Sequence, residues 1–266
     1  MRQMIAILKL EVKKNFWGRR AVLIYLLALL PVLLFSAIAL IPPDVGGRGE
    51  PAFINMMFAN IYEILILRTV VFFGCAWIFM NLFRGEVVDR SLHYYFLSPL
   101  RREVLVIGKY MSGLLTSLIL FVSATVVSLL LLYLPLGYSA SMQLLFEGHG
   151  LKYALVYLAI TALACAGYGA VFLLIGLLFR NPIIPALAVY GWEFINFLLP
   201  PLLKKLSVIH YLQSLSPLPL SEGPFAIVAE PTPAWVAVPA LLIMTGLLLA
   251  FACLQIRWME IRYGGE

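Results

Sequence analysis

The sequence predicts an all-α integral membrane protein, an interfacial N-terminal helix followed by six spans, and three observations carry that prediction. Of 266 residues, 63% are hydrophobic types and 12% are charged, against about half and about a quarter in soluble domains. Apolar runs of the roughly 20 residues that one helical crossing needs recur along the whole chain. Lys and Arg are divided unequally between the connections. A mean hydropathy of +0.98 excludes a soluble enzyme, a disordered tail and a disulfide-stapled secreted domain.

Residues 1–20 are not a span. Met4, Leu8, Val12 and Phe16 recur at four-residue spacing with Ile5 on the same face, and Arg2, Lys9, Lys13 and Arg20 form an adjoining stripe. A helix with one apolar face flanked by cations lies in the membrane interface. Residues 21–266 form a single transmembrane domain. The spans are expected at about 21–41, 61–83, 113–134, 153–179, 183–203 and 235–254. Pro31 falls inside the first and is expected to kink it. The fourth is long and reads as tilted, and the fifth carries Glu193 near its middle. Ala162, Ala166 and Ala170 repeat at four-residue spacing beside Gly169, which permits close helix packing. The loop 217–233 holds five prolines and apolar stretches, and is long enough to dip into the outer leaflet but not to fold as a domain.

Orientation follows from the cations. With the N-terminus inside, fourteen of the nineteen Lys and Arg lie on the cytoplasmic side and four on the other, with Arg68 inside a span. That bias places both termini in the cytoplasm. The net charge of +6 is then a matter of topology and of anionic lipid, and no basic-aromatic domain points to nucleic acid. Cys75, Cys165 and Cys253 sit in apolar runs without CxxC spacing, and His93, His149 and His210 are too scattered for a metal site. No GxxxxGK[ST] loop is present, so the chain lacks that route to ATP. No internal repeat is evident, which weighs against an inverted-repeat carrier.

Three groups of polar residues are candidates for function. The first is the connection between spans two and three, about 20 residues where a pure connector needs few. It carries mixed charge and a Leu92, Tyr94, Tyr95, Phe96 cluster ended by Pro99. Such a stretch can present aromatic anchors to a partner or be an interfacial loop. The second is Tyr190, Glu193 and Asn196, three residues apart in an apolar run. A carboxylate there is costly and should face protein or water, either lining a substrate path or making a helix–helix hydrogen bond. In the latter case Gln is expected to substitute freely. The third is Glu63 with Arg68, read as a structural ion pair or as groups reaching the headgroups.

The run Glu86, Ser91-Leu92, Leu97-Ser98-Pro99-Leu100-Arg101-Arg102, Gly108-Lys109 resembles the permeases of type-2 ATP-binding-cassette (ABC) transporters. There a similar stretch forms the coupling helix and its exit into the third span. The layout of the whole chain is similar: an amphipathic elbow helix, six spans, a long second cytoplasmic link and a re-entrant outer segment before the last span. The sequence departs at Ser91, where the family often has Thr, and at Arg90, where it often has Gly. The resemblance implies a non-catalytic half-transporter subunit in a cell inner or plasma membrane. It would pair with a second copy or a sibling and dock separate ATPase subunits through Glu86, Asp89, Arg90, Ser91, Leu92, Tyr94, Tyr95, Phe96, Pro99 and Arg101. It would bind no cofactor itself, since ATP and Mg sit on the partner, and the family's direction of transport is export. An ion-coupled carrier titrating Glu193 and an intramembrane lipid-modifying enzyme are the rival readings. Against the enzyme, no span holds a His/Asp, Ser-His or paired-Asp arrangement.

Overall fold

The computed structural model describes residues 2–18, 21–41, 51–88, 101–146, 149–179, 181–218 and 231–258, and among them the chain is helical with no strand. The N-terminal helix α1 is Arg2–Trp17, and α2 is Ala21–Ala39, passing through Pro31. The long helix α3 begins as Pro51–Ile61, widens to a π-helix over Tyr62–Val71 and returns to α-geometry over Phe72–Val88. Helix α4 is built the same way, from Arg102–Ser117, a π-turn Leu118–Val122 and Ser123–Tyr133, and ends in a 3₁₀ turn Leu134–Leu136. A short α5, Tyr138–Phe146, lies within the connection to α6, Gly150–Leu178. Then come α7, Ile183–Phe194, with a 3₁₀ extension Ile195–Leu198, and the short α8, Pro201–Lys204, and α9, Val208–Ser214. The last helix, α10, is Ala234–Trp258 and contains Pro239.

Five of these helices are long and apolar enough to cross a membrane: Ala21–Ala39, Ala52–Gly85, Arg102–Leu136, Gly150–Leu178 and Ala234–Trp258. Two of them extend well beyond the apolar runs that announce them, α3 starting ten residues earlier and α4 eleven. Trp235 and Trp258, at opposite ends of α10, are 79% and 82% exposed. They lie roughly 35 Å apart at 1.5 Å per residue, the separation of two aromatic belts.

The segment expected as the fifth span, 183–203, is helical over a shorter stretch. Helix runs to Leu198 and not to residue 203, because Pro200 and Pro201 follow. The residue before a proline is driven out of the α region, and Leu199 and Pro200 are extended, with ψ of 148° and 152°. The 12 α-helical residues and four-residue 3₁₀ turn cover roughly 26 Å, an apolar helix shorter than the five above. The chain then turns into α8 and α9. Residues 219–230, most of the expected outer re-entrant segment, lie outside the described residues.

Helix α6 is the hub, with two-thirds of its apolar window buried inside the protein. Its backbone carbonyls at Tyr157 and Ala166 accept hydrogen bonds from the hydroxyls of Tyr62 and Tyr110, at 2.9 and 3.0 Å. The Phe79 ring of α3 is wedged between two glycines. A Cβ at Gly113 of α4 or Gly169 of α6 would come within 2.8 and 2.5 Å of that ring. Seven residues past Gly169, Gly176 meets the backbone of α3 itself, since a Cβ there would lie 2.8 Å from Met80 Cα and 2.9 Å from its carbonyl oxygen. With lipid as solvent there is no hydrophobic gain in joining helices, so this dispersion-rich packing of small residues supplies the adhesion. Around that centre, α10 packs on α6 and α4, α2 on the C-terminal half of α4, and α1 on the N-terminal half of α4.

Gly176→Ala should therefore destabilise the protein by about 1–3 kcal/mol through overpacking, read as a lower melting temperature in detergent. Gly191→Ala in α7, where a Cβ meets nothing within 4 Å, should leave the melting temperature unchanged or raise it.

Candidate functional site

Two polar clusters lie at different levels of the bundle. One lies at the two ends of the connection that the sequence marks as a docking element. Glu86 belongs to the last turn of α3. Asp89, Arg90, Ser91, Leu92, Tyr94, Tyr95, Phe96 and Pro99 lie outside the described residues, as does the Glu86 side chain. The two feet of the connection are described. On the α3 side, the Leu82 carbonyl accepts a 2.8 Å hydrogen bond from Lys109 Nζ, and Lys109 also pairs at 2.8 Å with Glu11 of α1. Both side chains are buried, 0% and 2% exposed, and the ammonium stands 5.3 Å from the centre of the Phe83 ring. Asn15, one turn beyond Glu11, donates to Thr116 at 3.4 Å. One ammonium thus joins α1, the end of α3 and the start of α4.

On the α4 side, exposed Arg101 caps the helix with extended backbone, its carbonyl accepting from Val104 N–H at 3.0 Å. Arg102 reaches across to the end of α10 and donates to the carbonyls of Ile256 and Arg257, at 3.3 and 3.1 Å. Those carbonyls lie in the last described turn of α10. The neighbouring Glu103 pairs with Arg257. The connection therefore rises from a base to which α1, α3, α4 and α10 all contribute.

The second cluster holds Glu63, Arg68 and Glu193. Glu63 and Arg68 are five residues apart, which in an α-helix is about 140° around the axis. The π-helix over Tyr62–Val71 replaces that geometry with i to i+5 neighbours, and Arg68 donates to Glu63 Oε1 through Nη2 at 3.2 Å and Nε at 3.3 Å. Arg68 Nη1 donates to the Glu193 carbonyl at 3.2 Å, and Gln213 of α9 donates to Glu63 Oε1 at 2.6 Å.

Glu193 ends α7, 6% exposed, and its carboxylate meets the start of α9. Oε1 accepts from Val208 N–H at 3.0 Å. Oε2 accepts from Ile209 N–H at 2.9 Å, from the Ser207 hydroxyl at 2.8 Å and from the Tyr168 hydroxyl at 3.3 Å. The carboxylate takes the place of the N-cap side chain that α9 lacks, satisfying N–H groups that the first turn of a helix leaves free. Every partner is a donor. A carboxamide would turn its NH₂ toward N–H groups, so the expectation that Gln substitutes freely does not fit this geometry.

Tyr190 does not join the carboxylate. Its ring packs on Phe72 and Phe73 of α3, with centroids 5.3 and 5.0 Å apart. Asn196 lies in the 3₁₀ extension, 1% exposed, and its side-chain oxygen accepts no hydrogen bond among the described residues. Among the described residues no three His, Cys, Asp or Glu side chains gather as metal ligands.

Sequence reasoning missed Glu11, Ser207, Gln213 and the Glu103–Arg257 pair. A signal existed for the first, since Glu11 is the single acid in a helix whose other charges are cations. Compared with known proteins, the chain matches no family model and no curated protein.

Removing one partner of a buried ion pair costs about 3–5 kcal/mol, whereas replacing both with apolar groups is often neutral. Lys109→Met and Glu11→Leu should each lower the melting temperature strongly, and the double variant should recover most of the loss. For the other cluster, Glu193→Gln should cost about 1–3 kcal/mol by leaving buried donors unmet. Faster amide exchange at Val208 and Ile209 would locate that loss at the start of α9.

Proposed function

We propose that the chain is the transmembrane permease subunit of an ABC transporter. Two copies, or one copy and a sibling, pair in the membrane, and separate ATPase subunits carrying ATP and Mg dock on residues 84–103 and on α1. Both termini lie in the cytoplasm, the placement that the Lys and Arg distribution favours, and the direction is export, as the resemblance implies. Support comes from the all-helical, multi-pass architecture and from the motif residues. The observation that carries the reading is Lys109, which closes the motif run. It is buried where α1, α3 and α4 meet, directly behind the two feet of the proposed docking segment.

The physical logic is that of a lever and its mount. Closure of an ATPase dimer upon ATP must reach the spans through whatever it holds. A loop tethered by flexible ends would absorb the displacement. A loop whose feet are fixed to four helices by a buried ion pair and by capped helix ends passes it on. The nucleotide state changes the transporter only insofar as the ATPase binds one conformation better than the other.

The rival readings draw less support. A carrier that titrates Glu193 needs its carboxylate open to a proton or ion, and here both oxygens accept hydrogen bonds from four protein donors. That arrangement favours a positioning role for Glu193 over a place in a substrate path with Tyr190 and Asn196.

The test is recovery of the intact complex. The tagged chain, extracted from its own membranes in mild detergent, should carry an ATP-hydrolysing subunit with it. Buried aromatic interface anchors are each worth about 2 kcal/mol or more. Tyr95→Ala or Phe96→Ala should therefore weaken association about 30-fold without changing membrane insertion. A chain purified with no ATPase, or an ATPase retained equally by the variants, would overturn the reading.

A further inference from the structure

The first part of α2 and the middle of α4 border an open groove of about 470 Å³ on the surface of the bundle. Its floor is made of small buried residues, Ala28 of α2 and Ala124 of α4, and its walls of Leu26 and Leu29 on one side and Leu120 and Val127 on the other. We propose that this groove holds one acyl chain of a membrane phospholipid, lying along the seam between the two helices.

The lining selects hydrocarbon. Its two polar side chains are both engaged by backbone. The Tyr25 hydroxyl donates to the Phe16 carbonyl at 2.9 Å, and the Ser123 hydroxyl donates to the Leu120 carbonyl at 3.0 Å. Each hydroxyl has a single hydrogen to give, so the lining side chains offer no further donor. A polar ligand would give up hydration there with nothing in exchange.

Length and width separate a single chain from a protein helix. The groove follows residues 22–32 of α2, ten steps and about 15 Å, which is half of the ~30 Å hydrocarbon core and so the depth of one leaflet. A crossing helix of a partner would continue past both ends. A helix of about that length and about 10 Å across takes up roughly 1,200 Å³, more than twice the volume of the groove. The level of the groove agrees. It starts in the first turn of α2, where Tyr25 is bonded to the last turn of α1 and Trp17 beside it is exposed. Exposed Trp and Tyr lie at headgroup depth, so the groove runs from there to the bilayer middle, the path of an acyl chain. Between two alanines neither helix fills the seam, and the chain supplies the missing dispersion contacts. The site needs only that α2 and α4 cross a membrane, and it stands or falls independently of the transporter reading.

The experiment is photolabelling of the full chain, purified in mild detergent with a few molecules of phosphatidylcholine whose acyl chain carries a diazirine, followed by peptide mass spectrometry. A chain in the groove gains roughly ten carbon contacts over one against a convex helix face, worth about tenfold in occupancy. Residues 22–32 and 120–127 should therefore carry about tenfold more adduct than the exposed α10 face of Ile243, Leu247 and Leu254. Ala124→Leu, which fills the floor, should remove most of that excess. Ser123→Phe should do the same from an exposed position, should the first variant disturb helix packing, while Leu247→Phe should leave it unchanged. Equal labelling of the groove and the α10 face, or groove labelling unchanged in Ser123→Phe, would overturn the proposal. Crosslinking of Leu29→Cys to a second copy of the chain, above the wild-type level, would also overturn it by making the groove an interface between copies.

Discussion

A polar group inside a bilayer has no water to turn to, and the arrangement of this protein follows from that constraint. Each charge that the chain carries into its apolar bundle must be met by another part of the chain. Lys109 is met by a carboxylate from α1 and a carbonyl from α3, Arg68 by a carboxylate and a carbonyl, and Glu193 by four donors. Because these partners come largely from other helices, the groups fix the helices that bear them. Dispersion between apolar faces would tolerate sliding. A buried ammonium 2.8 Å from its carboxylate does not.

The two clusters do different work with the same chemistry. The cluster of Glu11 and Lys109 joins elements distant in sequence, residues 11, 82 and 109 and then 102, 103 and 257, at the two ends of the connection between α3 and α4. The cluster of Glu63, Arg68 and Glu193 holds a broken segment. Helix α7 is short and exposes Ile183, Ile184 and Leu187, and α9 has only seven residues, too few to be stable alone. Glu193 and Gln213 attach that pair to the π-helical part of α3. Between the clusters the packing is apolar, and its contacts are made by Phe79, Met80 and the glycines facing them.

The class of fold was legible because apolar runs of the necessary length are a direct signature of crossing a bilayer. The limits of the elements were less so. Apolarity reports where lipid lies, and α3 and α4 are helical before it begins, so their N-terminal extensions fell among expected loops. Run length also passed over the Pro200-Pro201 pair, which interrupts helix without interrupting hydrophobicity. Glu63 and Arg68 stood out in the sequence as a pair worth weighing, but α-helical spacing puts them on different faces. Only the π-helix, which leaves no pattern in apolar periodicity, makes them neighbours. Glu193 stood out by its cost. The nature of its partners did not, since backbone N–H groups are present at every position and which of them are unmet depends on where the next helix starts.

The contact of Gly176 with the Met80 backbone divides the bundle into parts of unequal freedom. Two helices whose main chains touch cannot rotate against each other without separating, so α3 and α6 are one mechanical unit, and α4 is keyed to it through Phe79. The first and last spans have no such lock, and each buries only 22% of its apolar window inside the protein. A rearrangement of this bundle therefore has a fixed axle and two loosely held flanks. Both flanks are tied to the base of the α3–α4 connection, α10 through Arg102 and Glu103, and α2 through the joint with α1.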